Sequence, residues 1–460
     1  MIGRSDALCA WLSSRLTEYA ALFGIVGASA AVLHEGAIAE AATGSVNLSS
    51  NVAATRESLF QIGSISKAFT ATLVLQLVEQ GRLGIDDFVR NHLTYFAVAS
   101  EQVSESLTLR HLLTHTNGID GEFFPDTGTD SDCIEKYVRA CGSLGQLHQP
   151  GESTSYCNAA FVVLGALLEQ VTAQSWDSLL RERLLAPLGL LHTTTDYAEL
   201  PRFRVAVGHL LDPDAKRFAV SKRLHLPRGM GPTGATLHAS AADLAEFGGL
   251  FLNGGRARSG APVLSARSVS SSLVPQADWP TTKWTHMRMG LGWQLHSWGN
   301  RMVFGHDGAT LGQASFLRVM PDANLVVALL TNGGPAKNLY HALYGDIFRQ
   351  LAGVELPGTP QASTAACWDV RRAIGSYVNA MSRADVFVDG DQLKIKIVTP
   401  QFAGVLADQI WPLAPICDDA CLIGDPGLRV QDILVFHHFD AADGRARYIS
   451  LKNRDLLRVC

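Results

Sequence analysis

The chain has 460 residues, of which 47% are hydrophobic and 18% are charged, a balance that suits a folded protein and excludes a disordered one. Its 38 Lys and Arg against 43 Asp and Glu give a net charge of −5, without the basic excess typical of nucleic-acid-binding proteins. Eight cysteines in a chain of this length are too few for a scaffold built on disulfides.

Hydrophobic periodicity predicts helices along most of the chain and a group of strands late in it. Predicted helices span residues 6–22, 64–80, 108–113, 133–148, 158–186, 240–252 and 338–351, with a β-hairpin at 25–42 between the first two. Residues 200–232 are irregular, and their basic segment Lys216–Arg228 predicts a loop-rich rim. Short strands are predicted at 291–296, 302–304, 314–320 and 325–331.

The order of these elements predicts an α+β fold in two domains. The early hairpin and the late strands would join in one antiparallel sheet, with the helical block inserted beside it. Pro357–Thr364 has the composition of a linker, so we predict a first domain at 1–355, a linker at 356–366 and a small β domain at 367–460. Predicted strands of that β domain span residues 385–388, 393–398, 434–439 and 447–451, with Asp389-Gly390 as the turn between the first two.

The first candidate for chemistry is Ser64-Ile65-Ser66-Lys67, at the start of a predicted helix. One helical turn places Lys67 on the same face as Ser64, and the helix N-terminus adds N–H groups and partial positive charge. A serine hydroxyl needs a nearby base to act as a nucleophile, and a lysine amine can serve when burial or another cation lowers its pKa. The alternative is a capping serine beside a lysine that reaches solvent.

A second candidate motif is Tyr156-Cys157-Asn158, at the start of another predicted helix. A tyrosine close to a lysine could share its proton and act as a relay or a general base. The carboxamide of Asn158 could bind Lys67 or a substrate. Taken alone, this short motif more often contains a structural tyrosine.

The third motif, His306-Asp307-Gly308-Ala309, lies between two predicted strands. A glycine at a strand edge lets a ligand backbone approach closely, which makes Gly308 a candidate for substrate contact. The backbone N–H of Ala309 could pair with that of Ser64 to form an oxyanion hole.

In this order, the three motifs resemble those of the penicillin-binding protein and serine β-lactamase family. The resemblance is to its class C-like branch, which includes D-aminopeptidases, D,D-peptidases and family VIII esterases. Local matches support it at Phe60–Gly63 (FQIG), Leu75–Ile85 (LQLVEQGRLGI) and His111–Gly118 (HLLTHTNG), and it covers residues 20–350. For the chain beyond the linker, it implies a small lipocalin-like β domain such as some D-aminopeptidases carry.

Carried over position by position, the resemblance implies a catalytic set of Ser64, Lys67, Tyr156, Asn158 and His306, with an oxyanion hole from the N–H groups of Ser64 and Ala309 and substrate contacts from Asn158 and Gly308. Ser64 would be the acylated nucleophile. Lys67 and Tyr156 would handle its proton and that of the leaving group, and which of them is the acylation base stays open. Asn158 would hold Lys67 and the amide of the acyl group.

Two positions depart from the class C pattern. His306 stands where class C β-lactamases have a lysine, which counts against an efficient β-lactamase and is more typical of peptidase-like and esterase-like relatives. Asp307 replaces the usual Thr or Ser, and its role stays open.

Other chemistries find no support in the sequence. His111 and His115 are not part of H-E-x-x-H, and G-x-S-x-G, a P-loop and G-x-G-x-x-G are missing, so we expect no metal and no cofactor. Two cysteine pairs are closely spaced, Cys133/Cys141 and Cys417/Cys421, and we expect free thiols there, with a local disulfide as the alternative. No run reaches the roughly 18 apolar residues of a membrane helix, and no signal-peptide layout opens the chain, so we expect a cytoplasmic protein.

The motifs predict an acyl-serine but leave the acyl acceptor open. The two-part layout resembles the penicillin-binding-protein-type thioesterases, which act on nonribosomal peptide assembly lines and release a peptidyl group by attack of its own N-terminal amine, favouring a D-residue at the acylating end. The alternatives are a cytoplasmic hydrolase of esters or D-amino-acid peptides, a β-lactamase, and a binding protein on an inactive hydrolase fold.

The cyclase hypothesis carries further expectations. It predicts an open cleft roofed by the β domain and a polar contact for the amine or the leaving pantetheine arm. An acidic peptidyl carrier domain would be the protein partner, steered by the basic segment Lys216–Arg228. Arg454 and Arg458 could reach the cleft from the β domain.

Overall fold

The computed structural model describes residues 2–212, 215–358, 360–363, 369–403, 408–424 and 431–459. Of the predicted linker 356–366, residues 359 and 364–366 lie outside the described part. The helices are α1 (Ile2–Phe23), α2 (Ser66–Glu79), α3 (Glu101–Ser106), α4 (Leu109–Leu113), α5 (Cys133–Ala140), α6 (Asn158–Thr172), α7 (Trp176–Leu180), α8 (Ala186–Leu188), α9 (Ala241–Leu252), α10 (Ala266–Ser272), α11 (Thr282–Thr285) and α12 (Ala336–Ala352).

Strands of the first domain form one large sheet and two small ones. They are β1 (Gly27–His34), β2 (Ala37–Asn47), β3 (Val52–Ala53), β4 (Phe60–Gln61), β5 (Thr193–Thr194), β6 (His209–Asp212), β7 (Arg217–Val220), β8 (His238–Ala239), β9 (Ala277–Asp278), β10 (Met287–Met289), β11 (Gln294–Trp298), β12 (Arg301–Ala309), β13 (Ala314–Met320) and β14 (Leu325–Thr331). The large sheet has the order β3-β2-β1-β14-β13-β12-β11-β10-β9. β1 pairs antiparallel with β14, so the predicted joining of the early hairpin to the late strands is confirmed.

Both faces of this sheet are covered, which explains why β14 is buried along its whole length and apolar up to Thr331. Because side chains alternate along a strand, Val327 and Leu329 pack in one core with α1 and α12. Val326 and Ala328 pack in the other core with α9 and the helical block. Helix α2 lies inside that second core and is buried from Ser66 to Leu77, so its apolar residues surround the whole helix.

Two predicted helices are shorter than the sequence suggested. The helix predicted at 133–148 ends at Ala140, followed by a 3-10 turn that contains Gly142. Glycine weakens a helix because it loses the most backbone entropy on folding. The helix predicted at 158–186 breaks at Ala173, which is left-handed, and Ser175 then caps a new helix by accepting from the N–H of Ser178.

The C-terminal strands form a closed eight-stranded barrel. They are β15 (Gly375–Val378), β16 (Arg383–Asp389), β17 (Gln392–Val398), β18 (Gln409–Cys417), β19 (Ala420–Ile423), β20 (Asp432–Phe439), β21 (Ala446–Leu451) and β22 (Arg454–Arg458). Pairing of β15 with β22 closes the barrel, and its interior is filled by residues such as Tyr377, Ile395 and Phe436. The predicted α+β fold with a small lipocalin-like barrel is confirmed, including the turn at Gly390, whose φ is 61°.

Two further expectations bear on the chain as a whole. Cys133, Cys141, Cys417 and Cys421 are free thiols, as expected. Among the described residues, no helix combines the length and the apolar character needed to cross a membrane.

Candidate active site

The first and third motifs meet through tightly packed backbone. Ser64 lies in a 3-10 turn, Gly63–Ile65, that leads into α2. Gly63 has a φ of 53°, and a Cβ on it would lie 2.7 Å from the amide nitrogen of Ala309. A Cβ on Gly308 would lie 1.9 Å from the carbonyl oxygen of Ile62, so this glycine is required by the protein's own backbone. The amide of Ala309 therefore lies beside the backbone that carries Ser64, where an oxyanion hole would need it.

Lys67 is fully buried and sits between three oxygen atoms. Its Nζ lies 3.2 Å from Oγ of Ser64, and it donates to Oδ1 of Asn158 at 2.7 Å and to the carbonyl oxygen of Thr233 at 2.8 Å. Burial lowers the pKa of Lys67 well below its usual value, and the nearby Arg454 lowers it further, while Glu122 acts against both. If the amine is neutral, its two N–H groups are used by Asn158 and Thr233, and its lone pair faces the Ser64 hydroxyl.

Asn158 is held in the orientation that Lys67 needs. Its Oδ1 also accepts from Oγ1 of Thr233 at 2.9 Å, and its Nδ2 donates to Oε1 of Glu122 at 2.9 Å. Glu122 is only 2% exposed. Because a carboxylate oxygen accepts only, Glu122 fixes which end of the Asn158 carboxamide faces Lys67. Sequence reasoning missed both Glu122 and Thr233, and neither stands in a recognisable motif.

Tyr156 places its ring between two basic side chains. Nζ of Lys67 lies 4.7 Å from the ring centroid, and the guanidinium carbon of Arg454 lies 4.5 Å from it. Burial raises the pKa of the phenol, although Arg454 and the Ser64 hydroxyl lower it in part. A phenol that keeps its proton is suited to donate it, which favours Lys67 over Tyr156 as the acylation base.

The two histidines of the HLLTHTNG segment have structural contacts. His111 completes a capping box with Thr108 at the start of α4. The His115 ring stacks on Tyr156 with centroids 4.3 Å apart, and its Nδ1 accepts from the backbone N–H of Cys157 at 3.0 Å. These contacts give both residues a structural role.

His306 is a neutral side chain at the same centre. Its Nδ1 lies 2.6 Å from the carbonyl oxygen of Asp307, and since a carbonyl only accepts, Nδ1 carries the proton. Burial lowers the pKa of His306 to about 4, helped by the nearby Lys67. Nε2 is buried without a partner in the described part of the chain. The third motif therefore presents a hydrogen-bond acceptor where class C β-lactamases present a cation.

The barrel completes this centre with one turn. The carbonyl oxygen of Asn453, between β21 and β22, accepts from the backbone N–H of Tyr156 at 2.7 Å. The next residue, Arg454, forms an ion pair with Glu122, with 2.9 Å between Nε and Oε2. The N–H of Asp455 then donates to Oγ of Ser155 at 3.0 Å. Arg454 thus reaches the site, as the sequence suggested.

Other barrel contacts are less central. Arg458 does not reach the site, because it pairs with Asp443 at 2.9 Å. In the basic segment 216–228, Arg228 is engaged by Asp177 at 2.7 Å, whereas Lys216, Arg217 and Lys222 are exposed.

Between the two domains lies an open cleft with a volume of 920 Å³. Its walls combine motif residues, apolar barrel residues and cations; they include Ser64, Tyr156, Asn158, His306, Gly308, Ala309, Phe124, Leu226, Ile397, Phe402, Trp411, Lys337, Lys452 and Arg454. No three His, Cys, Asp or Glu side chains in the described ranges are grouped to hold a metal ion.

An interdomain contact beside the site should make stability depend on pH. Asp120 accepts a hydrogen bond from the barrel N–H of Ala380 at 2.9 Å, and burial raises its pKa from 3.8 to about 6. Because folding favours the protonated form, stability should fall as pH rises from 4 to 6. We expect Asp120→Asn to raise the free energy of unfolding at pH 7.5 by about 1–2 kcal/mol. Denaturant unfolding curves at pH 5 and pH 7.5 measure this change, and Asp130→Asn is the control at an exposed position. An equal gain in the free energy of unfolding at both pH values would contradict the prediction.

The comparisons with known proteins agree with this geometry. The sequence profile of the β-lactamase family matches residues 13–347. The chain belongs to the β-lactamase family. Penicillin-binding protein 4 of Amycolatopsis lactamdurans is 42% identical over 337 residues, which cover 72% of this chain and 87% of that protein.

Two solved structures share the fold. The crystal structure of SurE superimposes with a TM-score of 0.78 at 24% identity, covering 99% of this chain and 100% of SurE, barrel included. The D-amino acid amidase of Ochrobactrum anthropi SV3 gives a TM-score of 0.62 at 20% identity, covering 74% of this chain and 98% of the amidase. The protein is thus a serine hydrolase or acyltransferase of the β-lactamase and penicillin-binding protein family.

Proposed function

We propose that this enzyme carries a peptidyl group on Ser64 and releases it as a head-to-tail macrolactam, acting as a stand-alone thioesterase of nonribosomal peptide assembly. The observation that carries the proposal is the barrel turn that pairs with Tyr156 and roofs a cleft of 920 Å³ at Ser64. Cavities of about 300–1,000 Å³ enclose drug-sized ligands. The cleft therefore has room for both ends of a peptide whose termini must meet.

Acylation follows from the state of Lys67. As a neutral amine 3.2 Å from Oγ, Lys67 takes the Ser64 proton while Oγ attacks the thioester carbon. The N–H groups of Ser64 and Ala309 stabilise the negative charge on the carbonyl oxygen. The carbon–sulfur bond breaks, and the thiol leaves with a proton from the Lys67 and Tyr156 pair.

Release reverses the proton flow. The N-terminal amine of the acyl peptide attacks the acyl carbon, a carbon–nitrogen bond forms, and the bond to Oγ of Ser64 breaks. One proton moves from the amine to Oγ through Lys67, whose lone pair again faces that oxygen. His306 offers Nε2 as a neutral acceptor on the same wall. A neutral histidine here adds no positive charge against an incoming amine.

We expect a D-residue at the acylating end of the substrate. The motif resemblance implies this stereochemistry, and a second structure of SurE, with a TM-score of 0.76 and 24% identity, is described as containing D-Leu. In this proposal the D-residue would lie against the wall of the cleft that Asn158 and Ala309 form.

The donor would arrive on a peptidyl carrier domain. Exposed Lys216, Arg217 and Lys222 lie on the β6–β7 hairpin and the loop after it, and Leu226 of the same segment lines the cleft. An acidic carrier surface would be steered to these cations. Its pantetheine arm would then enter along Leu226.

A hydrolase of esters or D-amino-acid peptides is the second candidate. It is favoured by the likeness to the D-amino acid amidase, which covers 74% of this chain. The two candidates share acylation at Ser64 and differ in the acceptor, which is water in one and an amine in the other.

The test is mass spectrometry of the products from a linear peptidyl thioester that ends in a D-residue. We expect a product one water lighter than the free acid, and we expect Ser64→Ala to give neither product nor acyl-enzyme. Free acid alone, still dependent on Ser64, would replace the cyclase with the hydrolase. The same amount of cyclic product from the Ser64→Ala protein would contradict acylation at this residue.

A further inference from the structure

A second cavity opens from the cleft on the far side of His306. It has a volume of 220 Å³ and shares several wall residues with the main cleft, among them Asp307, His296 and Phe316. Ser64 lines only the main cleft. The side cavity is thus a branch that begins one residue beyond the third-motif histidine.

Four aromatic rings contribute to the walls of this side cavity, beside aliphatic, polar and charged residues such as Leu356, Ile433 and Lys337. The rings belong to Trp284, Trp298, Phe316 and Tyr340. The first lies at the surface, partly exposed, while the other three are at most 7% exposed. Flat rings around a cavity of this size favour a planar apolar group, which they contact on several sides.

Asp307 stands where the two cavities join. Its Oδ1 lies 2.6 Å from Nη1 of Arg318, and its side chain remains 46% exposed. Arg318 comes from the neighbouring strand β13, two positions along from the residue paired with Asp307, and its side chain is 4% exposed. One carboxylate oxygen is therefore anchored by a buried guanidinium, and the rest of the group faces the cleft. Arg318 keeps the pKa of Asp307 low against the effect of burial.

Two buried nitrogen atoms in this cavity have no hydrogen-bond partner within the described residues. They are Nε2 of His296 and Nε of Arg318. Buried polar atoms are rarely left without a partner, so these two nitrogen atoms call for a bound water, ion or ligand in the cavity.

We propose that Asp307 and the side cavity form the acceptor subsite, in which Asp307 binds the attacking amine and the aromatic walls hold an apolar, preferably aromatic, side chain on the same residue. This inference rests on the proposed function and names the acceptor of that reaction. The amine donates one N–H to the open carboxylate oxygen, which turns its lone pair toward the acyl carbon at Ser64. A carboxylate at this position also disfavours acceptors and leaving groups that carry a negative charge.

The step balances without any further reactant. The amine nitrogen bonds to the acyl carbon, the bond to Oγ of Ser64 breaks, and one amine proton ends on Oγ through Lys67. Asp307 remains a carboxylate throughout, so it positions the amine and takes no net proton.

The experiment separates the acceptor from the donor. An N-acetylated peptidyl thioester ending in D-Leu, which has no amine of its own, is supplied with either L-phenylalanine amide or L-alanine amide. The readout is the ratio of transfer product to free acid, which does not depend on how fast Ser64 is acylated. We expect a ratio about 10-fold higher with phenylalanine amide than with alanine amide.

Two variants test the two parts of the subsite. Asp307→Asn keeps a bond to Arg318 and should lower the transfer ratio about 10-fold with both amides. Trp284→Ala changes the partly exposed wall. It should reduce the preference for phenylalanine amide and leave the transfer ratio with alanine amide unchanged. Tyr95→Ala removes a half-buried ring outside both cavities and is the control for general effects of such a change.

Each outcome bears on a different claim. If intact-protein mass shows acyl-Ser64 but the two amides transfer equally, or Trp284→Ala leaves the preference unchanged, the acceptor subsite is wrong and the acyl-enzyme stands. If the thioester never acylates Ser64, the proposed function fails and the subsite fails with it.

Discussion

Replacing Lys67 with methionine is expected to slow acylation of Ser64 roughly 1,000-fold, within the range that general bases contribute. Methionine fills the same buried space but cannot accept the Oγ proton. Folding should be affected little, because removal of a fully buried amine offsets the loss of its bonds to Asn158 and Thr233. The loss of rate should therefore reflect chemistry.

Stopped-flow release of thiol from a peptidyl thioester measures this step directly. Lys67→Arg is the matched control, because arginine keeps N–H donors at the site but stays protonated and cannot accept the Oγ proton. We expect Ser64 in the Lys67→Arg protein to be acylated as slowly as in the Lys67→Met protein. If the acylation rate of Lys67→Met is within 10-fold of that of the unmodified enzyme, Tyr156 would be the acylation base.

Breaking the ion pair between the barrel and the catalytic domain is expected to have the second-largest effect. Arg454→Met leaves the Glu122 carboxylate buried without its cation and removes a group that lowers the pKa of Lys67. With Glu122 acting alone, the pKa of Lys67 rises and less of the amine is neutral at a given pH. Acylation at pH 7 should fall about 100-fold, and the rise of rate with pH should move to higher pH.

The pH profile of thiol release distinguishes this effect from a general loss of structure. Arg458→Met lies on the same strand but pairs with Asp443, so it should leave the profile unchanged. The double variant Glu122→Gln with Arg454→Met removes both charges and should return the profile toward its original position. If the rate of thiol release falls at every pH but its midpoint pH does not shift, Arg454 acts only by holding the barrel in place.

Those parts of the fold that depend on local sequence could be predicted. The predicted strands 314–320 and 325–331 match β13 and β14 at both ends, because each is an apolar run bounded by turn residues. Ser64 and Lys67 were paired by helical spacing alone, which the structure reproduces. The helix predicted at 133–148 was too long because its apolar residues continue past the glycines that end α5.

Contacts between distant parts of the chain could not be predicted in the same way. Thr233 and Asn453 contribute backbone carbonyl oxygens, which every residue has, so no pattern marks them. Glu122 is one acidic residue among many until the fold buries it between Asn158 and Arg454. The ion pair of Asp307 with Arg318 depends on a partner from the next strand, which no local pattern around residue 307 marks.

The turn at 453–455 has a consequence for the timing of activity. During synthesis, Ser64, Tyr156 and His306 all emerge long before Asn453 and Arg454 do. Until then, the segment that carries Tyr156 lacks its hydrogen bonds to the barrel turn, and Glu122 lacks its cation. A nascent chain therefore holds every motif residue before it can form the barrel contacts at Tyr156 and Glu122. We expect such a chain to gain full reactivity at Ser64 only when the barrel has closed and docked.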